Sequence, residues 1–217
     1  MGATSGCLIT LEGGEGAGKT TQCRLLQAWL AASGLGVTCT REPGGTPLGE
    51  RLRTLLLDPD LGPVSPSAEM LLFSAARAET VTQIIRPALE RNEVVLCDRF
   101  VDSSVVYQGF GLGLDLGVIR EVNARVTQGL TVDLTVVLDV PAETGNARRR
   151  AARGDRIETR GQEYHQRVRD GYRQMAAQEP GRIRLIDGTA VVDTVQRELR
   201  GLVAMALARR GLTAPAV

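Results

Sequence analysis

The architecture of this chain follows from Gly13-Gly14-Glu15-Gly16-Ala17-Gly18-Lys19-Thr20, an octapeptide with the G-x-x-x-x-G-K-[ST] spacing of a phosphate-binding loop. In such a loop, glycines let backbone N–H groups surround phosphate oxygens at the start of a helix, the lysine reaches the terminal phosphates, and the next hydroxyl holds Mg²⁺. Lys19 is the only lysine among 26 basic residues, so a compact ammonium is used at this one position. We therefore predict nucleotide binding by this octapeptide and by Thr21 after it.

The sequence around the loop predicts an α/β fold. The apolar run 7–11 predicts a buried strand before the loop, and helical spacing of Leu25, Leu26, Trp29 and Leu30 predicts a helix after it that ends near Gly34. Four more apolar runs predict strands at 37–40, 94–97, 134–138 and 183–186. Further helices are predicted at 48–57, 67–91 with a kink at Pro87, 116–127, 142–152, 161–178 and 192–209. Alternating strands and helices indicate a five-stranded parallel sheet with helices on both faces.

Length and composition limit the classes of protein to consider. With 217 residues, 43% of them hydrophobic, and no obvious linker, we expect one domain over residues 1–210 and a disordered tail over 211–217. A net charge of +1 gives no general attraction to nucleic acid or to membranes. No apolar run has the length of a spanning helix or a signal sequence. We therefore expect a cytoplasmic protein with neither kind of partner.

Some reactive side chains receive no functional assignment. The cysteines Cys7, Cys23, Cys39 and Cys97 show no C-x-x-C pair or metal-ligand spacing, so they are predicted to be buried, reduced thiols. His165, the only histidine, is expected to be solvated in an Arg- and Gln-rich helix. Asp139, at the end of the fourth predicted strand, is expected to cap the following helix.

Charged residues follow the second and third predicted strands. The apolar run 94–97 ends at Asp98, and a carboxylate at that place is the usual second anchor for Mg²⁺ beside the hydroxyl of Thr20. Arg99 follows directly, and the turn Arg41-Glu42-Pro43-Gly44-Gly45 brings further charge to the same edge of the sheet. The alternative is that Asp98 and Arg99 only pair with each other or cap a loop; a neighbouring phosphate loop favours the anion-site interpretation.

The densest charge lies at 148–160, where six arginines accompany two acids. Such a run is usually a solvated helix face or a nucleic-acid patch. Here it follows a strand and a helix, contains Gly154, and lacks the aromatic residues of a single-strand binder. We interpret it as an arginine-bearing lid over polyphosphate, because phosphoryl transfer needs positive charge and the exclusion of water.

Together these features resemble bacterial thymidylate kinases over nearly the whole chain and in the right order. The resemblance rests on Glu12-Gly13-Gly14-Glu15-Gly16-Ala17-Gly18-Lys19-Thr20-Thr21, Arg41-Glu42-Pro43-Gly44-Gly45-Thr46, Phe73 with Ala75-Ala76-Arg77, Asp98-Arg99-Phe100, Tyr107-Gln108-Gly109 and Asp155-Arg156-Ile157-Glu158. The Arg-Glu-Pro-Gly-Gly turn and the Tyr-Gln pair are much narrower signals than the phosphate loop alone.

The resemblance implies an acceptor pocket for thymidine monophosphate. Phe73 is expected to stack on the thymine ring, Arg77 to approach the base, and Arg99 to hold the acceptor phosphate. Tyr107 and Gln108 are expected to line the sugar and base, with Tyr107 filling the space of a ribose 2′-hydroxyl. The same resemblance adds Glu42 and Pro43 to the pocket and puts Glu15 near the 3′-hydroxyl. A structural role remains the alternative for Phe73 and Tyr107 in the core, and for Gln108 in a surface loop.

The resemblance also implies how the reaction is catalysed. Because Glu15 is acidic, the cation for the transition state is expected from the lid, where Arg153 matches the family's arginine and Arg149 or Arg156 could share its task. Lys19, Arg99, Arg153 and Glu15 are therefore the predicted catalytic residues, with Mg²⁺ held through Thr20 and Asp98. Gly154 runs straight into Asp155 where relatives often have an insert, so the match at Arg153 is the least specific.

The implied activity is transfer of the γ-phosphoryl group of ATP·Mg²⁺ to the 5′-phosphate of thymidine monophosphate, for dTTP synthesis, by a homodimer. A regulatory GTPase is disfavoured, because its guanine-reading Asn-Lys-x-Asp motif needs a second lysine that this chain lacks. A kinase for another nucleoside monophosphate, or for free deoxynucleosides, shares the fold and remains the alternative.

Overall fold

Five parallel strands form the centre of the protein in the computed structural model, which describes residues 6–148 and 154–215. The strands are β1 (Cys7–Gly13), β2 (Val37–Arg41), β3 (Val94–Asp98), β4 (Leu134–Asp139) and β5 (Ile183–Asp187). Their order in the sheet is β2-β3-β1-β4-β5. The predicted sheet is confirmed, and each strand continues one or two residues beyond its predicted end. The strand order reverses at β1, where open α/β sheets bind their ligands.

Helices connect the strands and cover the sheet. They are α1 (Lys19–Ala31), α2 (Pro47–Leu57), α3 (Pro66–Thr80), α4 (Arg86–Glu90), α5 (Val101–Ser104), α6 (Leu116–Val126), α7 (Ala142–Arg148), α8 (Gln162–Gln178) and α9 (Val192–Arg209). Two π-helical segments, Val81–Ile85 and Val105–Gly111, join α3 to α4 and extend α5. The single helix predicted at 67–91 is therefore three consecutive segments, and the helical turns after β3 were not predicted.

Both faces of the sheet are packed against helices. Along β1, Cys7, Ile9 and Leu11 belong to the apolar cluster formed with α1 and α9. Leu8 belongs to a cluster on the other face, which includes Val81 and Ile85 of the first π-helical segment. This alternation follows from the two-residue period of a strand. All four of these β1 side chains have no solvent exposure, as expected for a parallel strand covered on both faces.

Capping residues fix the start of the two helices that follow β2. The Thr46 side chain accepts from the backbone N–H of Gly49 at 3.0 Å, and the Ser65 side chain accepts from that of Ala68 at 3.3 Å. Each cap is followed by a proline at the first helical position, where its missing N–H has no cost. These caps set the direction of α2 and α3, which both contribute side chains to the site described below.

Three predictions about individual side chains were wrong. Cys39 is exposed on the edge strand β2, whereas Cys7, Cys23 and Cys97 are buried as predicted, and all four are free thiols. His165 is 7% exposed, its ring meets the ring of the preceding Tyr164 edge-on, and its Nε2 lies 3.2 Å from the carbonyl oxygen of Glu158. The carboxylate of Asp139 accepts hydrogen bonds from Arg169 and Arg173 of α8 instead of capping a helix.

The C-terminal end of the described chain contacts the core. Leu212 and Ala214, within the segment predicted to be a disordered tail, pack against the cluster formed by β1, α1 and α9. The backbone N–H of Leu212 also donates to the carbonyl of Leu207 at 3.0 Å. Within residues 6–148 and 154–215, none of the helices combines the length and apolar character that crossing a membrane requires.

Candidate active site

The phosphate loop connects β1 to α1 and depends on glycine at specific positions. Gly16 and Gly18 have φ angles of 67° and 93°, in the left-handed region that favours glycine. A Cβ on Gly16 would lie 2.2 Å from the carbonyl oxygen of Gly145 in α7, so no larger residue fits there. The loop therefore packs closely on α7.

Lys19 begins α1 and is buried within the loop, with 8% of its surface exposed. Its Nζ donates to the carbonyl of Gly14 at 2.9 Å and to that of Gly13 at 3.3 Å. Burial, and then the nearby Arg99 guanidinium, lower the pKa of Lys19. The ammonium is thus held against the loop that would surround a triphosphate, as the sequence motif predicts.

A cleft runs along the phosphate loop, and its lining includes residues 15–21, Asp98, Arg99 and Arg148. We call it the donor cleft, and it contains the predicted metal anchors. The Thr20 hydroxyl donates to Asp98 Oδ2 at 3.1 Å, and both side chains line the cleft. Among the described residues no group of three or more His, Cys, Asp or Glu side chains is arranged to hold a metal ion. Mg²⁺ in nucleotide sites typically takes one or two protein oxygens and completes its coordination with phosphates and water, so this oxygen pair fits it.

Arg99 lies between the donor cleft and a second cavity and lines both. Its backbone is left-handed, with φ 70°, and its N–H donates to the carbonyl of Leu11 at 3.0 Å. The guanidinium donates to the carbonyl of Gly13 at 2.9 Å and to Glu15 Oε1 at 2.6 Å, and it lies 4.8 Å from the ring centre of Tyr107. Burial is the largest single effect and lowers the pKa of Arg99, but the surrounding acidic groups, Glu15 first among them, together raise that pKa well above its usual value. The alternative that Asp98 and Arg99 only pair with each other is therefore wrong, because Asp98 accepts from Thr20 and Arg99 donates to Glu15.

Glu12 holds the chain that follows Arg99, and the sequence analysis assigned it no role. Its fully buried carboxylate accepts from the N–H of Phe100 at 2.8 Å, from the Ser103 hydroxyl at 2.6 Å and from the Tyr172 hydroxyl at 2.7 Å. Burial, and then the Asp102 carboxylate, raise the pKa of Glu12. The only sequence signal was an acid in the otherwise apolar β1.

The second cavity contains every predicted acceptor residue. It offers about 590 Å³ of space including its open mouth. The predicted residues that line it are Glu15, Glu42, Pro43, Phe73, Arg77, Arg99, Tyr107 and Gln108. It is also lined by residues that the sequence analysis did not single out as pocket residues: Arg53, Leu57, Ser103, Ser104, Asp155 and Ile157. We call this cavity the acceptor pocket.

Arg77 is buried in the wall of the acceptor pocket. It donates through Nε to Glu42 Oε2 at 2.7 Å, through Nη1 to Ser104 and Asn123, and through Nη2 to the carbonyl of Phe100. These contacts use four of the five N–H groups of a guanidinium. Burial raises the pKa of Glu42 to about 7, opposed by Arg77, and Glu42 Oε1 has no hydrogen-bond partner among the described residues. Arg77 therefore holds the turn that contains Glu42, and it also lines the acceptor pocket.

Tyr107 and Gln108 lie in the π-helical segment Val105–Gly111, a distortion that is frequent at functional sites. The Tyr107 hydroxyl donates to Glu15 Oε1 at 2.9 Å. Gln108 Nε2 donates to Glu69 Oε1 at 3.0 Å, and only 2% of Gln108 is exposed. The alternative that Gln108 lies in a surface loop is therefore wrong.

Phe73 and Arg53 face the acceptor pocket from different helices. Phe73, on α3, is half-buried and lines the pocket, so it is not simply a core residue. Arg53, on α2, lines the acceptor pocket and the donor cleft, and its Nη1 donates to the carbonyl of Pro43 at 3.0 Å. In the sequence, Arg53 is one of two arginines on an amphipathic helix, and nothing separates it from Arg51.

The predicted lid is described only at its two ends. Arg149 and Arg153, the predicted catalytic arginine, lie outside the described residues. Arg148 lines the donor cleft and donates to the carbonyl of Gly188 at 2.8 Å. Arg156 donates to Glu69 Oε2 at 2.7 Å and to the carbonyl of Leu56 at 2.9 Å, so it is held beside the acceptor pocket.

Comparisons with known proteins agree with this geometry. The family model for thymidylate kinase matches residues 11–199. The chain belongs to the thymidylate kinase family. It is 50% identical to a thymidylate kinase of Deinococcus radiodurans, covering 90% of this chain and 95% of the relative, and 48% identical to one of Symbiobacterium thermophilum, covering 93% and 94%. The crystal structure of a thymidylate kinase from Ehrlichia chaffeensis is similar with a TM-score of 0.75 at 34% identity, covering 91% of this chain and 98% of that one. The thymidylate kinase family, enzyme class and fold predicted from the sequence are thereby confirmed.

Proposed function

We propose that this chain transfers the γ-phosphoryl group of ATP, bound with Mg²⁺, to the 5′-phosphate of thymidine monophosphate, giving the diphosphate and ADP. The observation that carries this proposal is the position of Arg99, which lines both the donor cleft and the acceptor pocket. A fixed guanidinium between two anion sites suits the alignment of two phosphates that repel each other.

On the donor side, residues 13–21 bind the triphosphate. The N–H groups of the loop and Lys19 cradle the β- and γ-phosphates, while Thr20 and Asp98 hold Mg²⁺. Bound there, Mg²⁺ supplies charge neutralisation on the phosphate oxygens. Arg148 lines this cleft and is tied to Gly188 after β5, so it forms part of the wall on the side opposite Arg99.

On the acceptor side, Phe73 stacks on thymine, Gln108 reads its edge, and Tyr107 crowds the 2′ position of the sugar. Stacking is worth about 1–3 kcal/mol per base. Arg99 holds the 5′-phosphate, and we add Arg53, which faces the same space from α2. Glu42, Pro43 and Arg77 form the wall behind the base, and Glu15 receives the 3′-hydroxyl side of the sugar.

The chemistry needs no general base, because the attacking phosphate oxygen is already largely anionic near neutral pH. Catalysis then consists of aligning donor and acceptor and neutralising the charge that spreads over the transferring group. Lys19 and Arg99 supply fixed charge, and Arg153 supplies the cation that the acidic Glu15 cannot. Loop residues and the lid arginines exclude water, which would otherwise compete as the acceptor.

A coupled assay of ADP release tests the proposal and its alternative. The substrates are thymidylate, uridylate, cytidylate, guanylate, adenylate and thymidine, each with ATP and magnesium. We expect thymidylate to give the highest kcat/KM and free thymidine to give no turnover. Preference for a different monophosphate, or for thymidine, supports the alternative kinase. Omitting magnesium tests whether the reaction needs the metal that Thr20 and Asp98 are proposed to hold.

The homodimer implied by the resemblance, and a cytoplasmic location, stay predictions. Leu71 on α3 and Val118 on α6 are 55% and 53% exposed, and these two helices contact each other. Exposed apolar side chains on neighbouring helices suit a helix-packed interface. Light scattering during size-exclusion chromatography measures the state directly, and Leu71→Glu should favour the monomer.

A further inference from the structure

Glu69 on α3 is a fully buried carboxylate that contacts Gln108 of the acceptor pocket and two arginines at the end of the lid. Its Oε2 accepts from Arg156 at 2.7 Å and from Arg160 at 2.5 Å. Its Oε1 accepts from Gln108 at 3.0 Å and from Arg160 at 3.2 Å. Phe73, the proposed stacking residue, lies one helical turn away at i+4 on the same helix.

Two arginines keep this carboxylate ionised. Burial alone would raise the pKa of Glu69, but the hydrogen bonds from Arg160 and Gln108 outweigh burial and lower that pKa. An ionised carboxylate has oxygen acceptors and no donor. Any group that faces Glu69 at hydrogen-bond distance must therefore donate to it.

This requirement fixes the side-chain amide of Gln108. The amide has an NH₂ end that donates and an oxygen that accepts, and Glu69 can take only the NH₂ end. The amide oxygen lies at the opposite end of the amide, so it is the acceptor that Gln108 can offer to the acceptor pocket, which this residue lines. A neutral partner at position 69 would leave the amide free to present either end.

We infer that Glu69 is the positioning residue for base selection, because it turns the Gln108 oxygen toward the pocket to accept the N3–H of a pyrimidine imide. Thymine and uracil carry that N–H, whereas cytosine has an unprotonated ring nitrogen at the same place, so two acceptors would face each other. A site that is built to hydrogen-bond a substrate rejects an analogue that leaves its polar group unpaired. This inference rests on the proposed acceptor site.

The same carboxylate connects base selection to the lid. Arg156 and Arg160 lie at the C-terminal end of the lid, and both donate to Glu69, which is 87 and 91 residues away from them in sequence. Arg156 is also bound to the carbonyl of Leu56, and its backbone N–H donates to the carbonyl of Leu57, a residue of the acceptor pocket. Glu69 thus serves as a common anchor for the pocket edge that reads the base and for the C-terminal end of the lid.

The test uses Glu69→Gln in the full-length chain, with saturating ATP and magnesium. We expect the ratio of kcat/KM for thymidylate to that for deoxycytidylate to fall about tenfold or more. This factor corresponds to the loss of one hydrogen bond to thymine and of the mismatch that disfavours cytosine. Calorimetric Kd values for the two monophosphates, measured without donor, should change in the same direction. If the role of Glu69 were merely structural, kcat/KM would fall by the same factor for both substrates and the ratio would not change.

Two controls separate the amide effect from the loss of a buried ion pair. Asp139→Asn removes a carboxylate that also holds two arginines, Arg169 and Arg173, outside the acceptor pocket. This variant is expected to keep the substrate ratio within about twofold. In a Gln108→Leu background, Glu69→Gln should not change the ratio further.

Where Glu69→Gln does not fold, Glu69→Asp serves instead, since it keeps the charge but withdraws it from Gln108 by one methylene. An unchanged ratio in the folded Glu69 variant overturns the inference while wild-type preference for thymidylate leaves the proposed function intact. Wild-type protein that shows no preference for thymidylate removes the proposed function, and the inference with it.

Discussion

Arg99 and Glu15 are joined by a 2.6 Å ion pair at the boundary between the donor cleft and the acceptor pocket. Glu15 belongs to the phosphate loop, and Arg99 follows β3, so the pair connects the loop to the acceptor side. The guanidinium is further bound to the carbonyl of Gly13, a residue of the same loop. The phosphate loop, which is proposed to bind the donor, therefore sets the orientation of Arg99, the residue proposed to bind the acceptor phosphate.

Replacing Arg99 with Lys should lower kcat/KM for thymidylate by about 10²-fold or more, the cost of one missing charge-stabilising donor. Lysine keeps the charge but has no planar fork, so it cannot contact Gly13, Glu15 and a phosphate together. Steady-state kinetics measure the loss. Arg125→Lys is the matched control, because Arg125 forms an exposed pair with Glu121 on α6 and should retain wild-type kinetics. Equal kinetics for both variants would remove Arg99 from the acceptor site.

Arg153→Ala should lower kcat by about 10³-fold or more, the low end of the effect of a catalytic arginine, and leave the Kd of thymidylate nearly unchanged. The physical reason is that Glu15 gives the phosphate loop a negative charge where a transition-state cation is needed. Single-turnover kinetics measure the chemical step. Arg120→Ala, an exposed arginine on α6, is the control. Wild-type turnover in the Arg153 variant assigns the task to another arginine, and Arg149→Ala is then the next variant.

Phe73→Ala should weaken thymidylate binding by about 1–3 kcal/mol, the value of one base-stacking face, with little change in the affinity for ATP. Titration calorimetry with each nucleotide separates the two effects. Leu48→Ala truncates a 46% exposed apolar residue on α2 outside the pocket and should change neither affinity. An unchanged Kd for thymidylate in the Phe73 variant contradicts the stacking assignment.

The sheet could be predicted, and the residues of the site could be proposed, because both have local patterns in the sequence. Each strand, however, ends one or two residues later than predicted, at Gly13, Arg41, Asp98, Asp139 and Asp187. The apolar pattern stops where the strands reach the ligand edge, whereas the backbone pairing continues. Arg41 and Asp98 then line the donor cleft, as expected at that edge, whereas the carboxylate of Asp139 binds Arg169 and Arg173 of α8.

The residues that the sequence analysis missed depend on distant partners. Glu69 reads as one more acid on an amphipathic helix, and it becomes a buried anchor only because Arg160 reaches it from 91 residues away. Glu12 and Arg53 were missed for the same reason, since no local motif assigns a role to either of them. The helical turns 101–111 were missed because β-branched residues and glycines have low helix propensity there, and packing against α8 outweighs it.

Asp139 provides a pH test of the packing between the sheet and α8. Burial would raise the pKa of its carboxyl, but the hydrogen bonds from Arg169 and Arg173 outweigh burial and lower that pKa. A folded-state pKa below the unfolded value means that the pair stabilises the protein above the unfolded pKa and loses that effect as pH falls through the folded pKa. Asp139→Asn should therefore cost about 1–3 kcal/mol of unfolding free energy at neutral pH.

The difference between wild type and Asp139→Asn should stay constant from about pH 8 to pH 5 and shrink below about pH 4, as the carboxyl becomes protonated. Urea unfolding at each pH measures it. Glu121→Gln breaks an exposed pair on α6, with side chains 65% and 77% exposed, and should cost less than about 0.5 kcal/mol at any pH. A difference for Asp139→Asn that persists undiminished at pH 3 means that the side chain contributes through packing, and that its charge is not what holds α8 to β4.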